Sequence, residues 1–226
     1  MDRIPARLWW LIHKDLVSEL RARQVWPAML LLGIVVVLVF TIQMDLAPAQ
    51  KHRVAGGLLW LAIFFAGTLA LDRSFGNERE EQCLRGLLLY PIPAATVYLA
   101  KLLVNVILLG CLQLALIPLF VVFADVPLFR HPWATLAVAL LGNLGIVAVG
   151  TLLSAATSGI GQRGHLLALL ALPVVLPVVL GAAEAMRLIL EGDFGSQWWR
   201  WLGLLGAFAL LFTTLGLALF DFVIEE

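Results

Sequence analysis

Charge is what this 226-residue chain has least of: 13% of its residues are Asp, Glu, Lys or Arg, against about 25% in a typical soluble domain. Windows without any of these four residues run over 24–44, 54–71, 102–124, 132–162, 164–183 and 201–220. Each is at least 18 residues long, and roughly 20 residues of helix cross a bilayer's hydrocarbon core. Lipid offers the backbone no hydrogen-bonding partner, so all six windows are predicted helices. They occupy nearly the whole chain and leave no room for a separate soluble domain. The charges that exist cancel, 15 basic against 15 acidic, so no basic patch points to nucleic acid. Two cysteines, Cys83 and Cys111, lie in a charged connector and an apolar window and make no disulfide or metal framework.

Recognisable chemistry is equally sparse. No G-x-x-x-x-G-K-[ST] phosphate loop, H-E-x-x-H zinc signature or G-x-S-x-G nucleophile elbow occurs, so no catalytic residue is assigned. His13, His52, His131 and His165 are scattered over connectors and helix ends, where a polar boundary role outweighs haem or metal ligation. No metal ligand is assigned. Asn105, Gln113 and Asn143 are polar groups inside apolar windows, and hydrogen bonds between helices are their expected use.

What the chain does have is concentrated charge. Seven of its acidic and basic residues fall within 72–85: Asp72, Arg73, Glu78, Arg79, Glu80, Glu81 and Arg85. Such a cluster cannot lie in lipid, so it marks a connector in water between the second and third spans. Asn77 followed by Glu80 resembles a capping box, and Glu78, Glu80 and Glu81 suit the positive end of a helix dipole. Pro91 and Pro93 end the segment. A short helix over about 75–90 is predicted, with Cys83, Leu84, Leu87 and Leu88 on an oily side. Glu78, Glu81, Gln82 and Arg85 lie on a charged side suited to a soluble partner.

The chain's start reads differently. Residues 1–23 contain acids and no apolar core, so no cleavable signal is expected there. On a helical projection Trp9, Trp10, Ile12, Leu16, Val17 and Leu20 share one face, with Arg7, Lys14, Asp15, Ser18, Glu19 and Arg21 on the other. That pattern predicts an amphipathic helix in the membrane surface, a simple anchor or part of a partner's grip, followed by a six-helix membrane domain over 24–226.

Lysine and arginine orient the chain. Arg3, Arg7, Lys14, Arg21, Arg23, Arg73, Arg79, Arg85, Lys101 and Arg163 fall in one set of connectors, and Lys51, Arg53, Arg130, Arg187 and Arg200 in the other. Ten against five places both termini and the charged connector in the cytoplasm. On the opposite side, Glu184 and Arg187 are spaced to pair, and DFGSQWWRW (193–201) reads as an interfacial turn with an aromatic belt. Pro173 and Pro177 in the fifth span are expected to bend or break it, which makes them candidates for a substrate path.

A surface helix, six spans and a charged helix between spans two and three resemble the type-2 ABC exporter permeases. The run LALDRSFGNEREEQCLRGLLLYPIPAATVYLAK (69–101) is similar to the haem exporter protein B family, the membrane subunit of the system I cytochrome c maturation transporter. Arg163-Gly164 followed by HLLALLALPVVLPVVLGAAEA also resembles that family's basic-Gly start and twin-proline fifth helix. Arg85 departs from it, since related sequences more often carry an acid there.

The resemblance implies an all-α permease of the bacterial inner membrane with a coupling helix that grips an ATPase through Phe75, Asn77, Glu78, Arg79, Glu81, Arg85 and Leu88. It implies a homodimer with two cytoplasmic ATPase subunits, ATP being used by those partners. It also implies a haem-handling membrane subunit, a periplasmic haem chaperone, and haem as the cargo of the complex. The alternatives are a related permease for a lipid-linked or polysaccharide substrate, and a non-transporting membrane scaffold.

Overall fold

Among the described residues, long apolar stretches broken by polar connectors become seven α-helices. The structure is a computed structural model that describes residues 4–21, 25–43, 48–73, 93–156 and 165–225. The helices are α1 (Ile4–Arg21), α2 (Val25–Gln43), α3 (Pro48–Arg73), α4 (Ala94–Ala124), α5 (Pro132–Ala156), α6 (His165–Glu191) and α7 (Ser196–Glu225). A single 3₁₀ turn, Leu128–Arg130, joins α4 to α5. The chain is an all-α membrane protein.

Among the described residues, five helices hold stretches long and apolar enough to cross a bilayer: Gln50–Leu69, Ala95–Ala124, Pro132–Ala156, Ala171–Glu191 and Ser196–Phe220. The first expected span, α2, contributes a shorter apolar stretch, Pro27–Val39, among the described residues. The charged connector lies largely outside the described residues, and with it Phe75, Asn77, Glu78, Arg79, Glu81, Arg85, Leu88 and the predicted helix.

Short links force neighbouring helices to run antiparallel, which gives the bundle two ends. The connector end gathers the last turns of α3, α5 and α7 with the start of α4. There Tyr98 of α4 packs on Phe220 of α7, with ring centroids 5.3 Å apart. The opposite, turn end is built from local backbone chemistry. Helix α4 stops where Asp125 takes a left-handed conformation (φ 53°) and its N–H bonds the carbonyl of Val121. Pro132 then opens α5 at a position where a missing N–H costs nothing. Helix α6 stops at Gly192, whose φ of +72° suits a residue without Cβ, and the Asp193 N–H bonds the Leu188 carbonyl at 2.9 Å.

Helix α5 is the centre of the bundle. Its residues 145–151 are all buried, and α3, α4, α6 and α7 pack around it. Small residues allow the approach. A Cβ at Gly142 would collide with the indole of Trp60, a fully buried α3 side chain, and one at Gly216 would collide with the Tyr98 ring. In lipid, where apolar surface alone gives helices little reason to associate, such close van der Waals contact is a main source of cohesion.

Candidate functional site

Helix α4 carries the polar groups that organise the connector end. Tyr98, Lys101, Asn105 and Gln113 recur at near-helical spacing and all are buried. The Lys101 ammonium lies 3.1 Å from an Asp15 carboxylate oxygen, with the two side chains 8% and 10% exposed. The neighbouring Lys14 reaches the same carboxylate at 3.6 Å. One turn deeper, Asn105 donates to the Thr151 hydroxyl of α5 at 3.0 Å. Deeper still, the Asn143 amide of α5 donates to the Val106 carbonyl at 3.1 Å and to the Gln113 side-chain oxygen at 3.4 Å. The Gln113 amide in turn reaches the Ala139 carbonyl at 3.4 Å.

The use expected for Asn105, Gln113 and Asn143, hydrogen bonding between helices, is what they do, and all three serve a single interface between α4 and α5. Two placements differ from expectation. Lys101 was counted with the water-side connectors, yet it lies two turns inside α4. Asp15 was assigned to the wet face of α1, yet it is buried against the bundle. The reason is common to both: a charge inside a membrane protein is tolerated when an opposite charge meets it. On the predicted apolar face of α1, Trp9 and Trp10 are 69% and 66% exposed, while Ile12, Leu16 and Val17 are half-buried. Tyr98 and Thr151 completed the arrangement without being singled out. The clue for Lys101 was its spacing from Asn105, i to i+4, on the same face of the same helix.

At the turn end, Arg187 pairs with Glu184 at 2.8 Å, as its spacing predicted, and also with Glu191 at 2.6 Å. The aromatic segment divides into two parts. Trp199 is exposed, whereas Trp198 is buried and stacks edge-on with Phe194, which itself meets His131 at 4.8 Å between ring centroids. Helix α6 runs unbroken through Pro173 and Pro177, so of the expected bend or break, the break does not occur. Neighbouring helices and local adjustment re-satisfy backbone groups around prolines in membrane helices. Both prolines lie on the exposed side of α6. Among the described residues, no group of three or more His, Cys, Asp or Glu side chains is placed to hold a metal ion.

Apolar spans, interfacial tryptophans, small-residue packing and a buried polar interface define a multi-pass α-helical membrane protein. Comparison with known proteins narrows this to a family. The family model described as "CcmB protein" matches residues 6–224, so the chain belongs to the CcmB family. Heme exporter protein B of Rhodobacter capsulatus is 36% identical over 140 residues, 62% of this chain and 64% of that protein. The aligned part thus spans a little under two thirds of that relative. Heme exporter protein B of Pseudomonas aeruginosa is 30% identical over 184 residues, 81% of this chain and 82% of the relative. The Escherichia coli K12 protein of the same name is 31% identical over 163 residues, 68% of this chain and 69% of its own length.

Proposed function

We propose that this chain is the non-catalytic permease subunit of a bacterial inner-membrane ABC transporter that handles haem for c-type cytochrome assembly. The observation that carries the reading is the CcmB family match over residues 6–224, nearly end to end. Five apolar spans support the multi-pass arrangement. Two copies of the chain pair with two cytoplasmic ATPase subunits, which hydrolyse the ATP. Both termini and the connector lie in the cytoplasm, as the count of ten basic residues on that side against five on the other favours.

The connector is the coupling element. Its segment around 75–90 inserts in a cleft of the ATPase, with Phe75, Asn77, Glu78, Arg79, Glu81, Arg85 and Leu88 at the contact. Charged groups there set orientation and specificity more than bulk affinity. Closure of the ATPase around nucleotide displaces the connector, and α4, which starts directly after it, takes up the displacement. The outer face then changes where a haem-handling membrane subunit and a periplasmic haem chaperone dock. Haem is delivered to that chaperone, or the loaded chaperone is released. Pro173 and Pro177 lie on the outer side of one copy, so a substrate path along them runs between copies rather than through one.

Reversing charge at the connector tests the assignment. Glu78→Lys combined with Glu81→Lys is expected to abolish co-purification of the ATPase while the chain still inserts in the membrane. Unchanged co-purification would overturn the coupling role. Deleting the chain is expected to stop haem loading or release at the periplasmic chaperone, read from its haem absorbance.

A further inference from the structure

The buried ion pair between α1 and α4 has no place in the scheme above. Helix α1 packs chiefly on α4. Its docking edge consists of Leu11, 5% exposed, and Asp15 one turn later, whose carboxylate meets the buried Lys101 at 3.1 Å. Elsewhere among the described side chains of α1, Trp9, Trp10, His13 and Lys14 are exposed, while Ile12, Leu16 and Val17 are half-buried. An anchor that only had to adhere to the bundle needs an apolar seam. A charge pair withdrawn from water contributes little net stability, because desolvation offsets much of the attraction; its better-attested use is to specify one geometry.

The position of the pair gives that geometry a purpose. Lys101 is eight residues beyond Pro93, about 12 Å along a helix axis from the end of the connector. The next polar group on the same face, Asn105, bonds α5. Beyond its link to the connector, helix α4 meets α5 and α7 at Tyr98, α1 at Lys101, and α5 again from Asn105 inward. A rigid helix displaced at its start carries along whatever is fixed to its first two turns.

We propose that Asp15 and Lys101 are positioning residues for coupling, joining the surface helix α1 to the head of α4 so that a displacement of the connector moves both as one body. This rests on the connector being the ATPase contact. It adds that the motion spreads from α4 to the membrane surface through one ion pair.

The test uses the full complex, with Cys83→Ser, Cys111→Ser and Leu11→Cys as the parent chain, so that a polar maleimide reports whether the docking edge is covered. In that parent, Asp15→Asn and Lys101→Met are made singly, and Asp15→Lys with Lys101→Asp as a swapped pair. Both single variants should insert normally and co-purify with the ATPase. Labelling at position 11 should rise, and holocytochrome c yield fall, by about tenfold or more, since removing either partner breaks a buried pair at the docking edge. The swapped pair should restore protection and yield together.

Parent-level cytochrome yield in either single variant would overturn the proposal. So would loss of the chain from the membrane in proportion to yield, which would make the pair a folding contact. Loss of ATPase co-purification would also overturn it, by assigning α1 to docking rather than transmission. Failure of the underlying reading looks different: Glu78→Lys with Glu81→Lys would then retain the ATPase.

Discussion

Helix α4 meets both α1 and α5 through polar groups, and these two contacts use opposite physics. Toward α1 it offers a charge, Lys101, opposed by Asp15 at 3.1 Å. Toward α5 it offers the neutral amides Asn105 and Gln113, which with Asn143 of α5 are held by hydrogen bonds between 3.0 and 3.4 Å. The charged contact stands near the end of the helix, beside the amphipathic surface helix, where the membrane meets water. The neutral contacts reach the middle of the apolar span, where an ion would cost most. Neutral groups form a seam that tolerates the loss of a member, because the reference state in lipid also finds partners. A charged pair is all-or-none, since either group alone is worse than neither.

Breaking the charged contact should therefore have the largest effect. Lys101→Met is expected to lose up to about 3–5 kcal/mol at the α1 contact, the penalty of breaking a buried pair, reduced by what Lys14 at 3.6 Å still supplies to Asp15. The loss should be confined to α1 docking, read by labelling at position 11, with the remaining bundle unfolding at an unchanged temperature in detergent. Asn143→Leu removes the residue that bonds both Val106 and Gln113, and should lower bundle stability by up to about 1.7 kcal/mol, with α1 docking intact. Its readout is the thermal or denaturant midpoint in detergent. A result at Asn143 equal to or larger than that at Lys101 would erase the distinction between the two contacts.

The pair at the turn end sets the lower limit of the comparison. Arg187 bonds Glu184 and Glu191, yet these side chains are 21–39% exposed. Arg187→Ala should cost about 0.3–0.5 kcal/mol, as exposed helical pairs do, and the cost should shrink at high salt. The same measurements would show whether an ion pair in this chain matters by its burial or merely by being present.

Much of the connector end was legible in the sequence, but unevenly. Asn105, Gln113 and Asn143 stood out because a lone amide in an apolar window has few uses besides bonding another helix. Glu184 and Arg187 were legible because their partnership is local, one turn apart. Lys101 was not, because a span delimited by its first charge ends before the residue that breaks the rule. Trp198 was read with Trp199 as part of an interfacial belt. The fold buries one and exposes the other, since neighbours in sequence on a helix face about 100° apart.

The sequence by itself decided that this chain lives in a membrane, that its spans are helices, and that seven of its 30 acidic and basic residues cluster in one connector. Those conclusions follow from transfer of each residue between water and lipid, which depends on residue type and on local periodicity. Tertiary structure decided which charge is buried and what meets it. Asp15 and Lys101 are 86 positions apart, and no local pattern relates them. Their desolvation is offset only when the packing of α1 on α4 brings carboxylate and ammonium within contact.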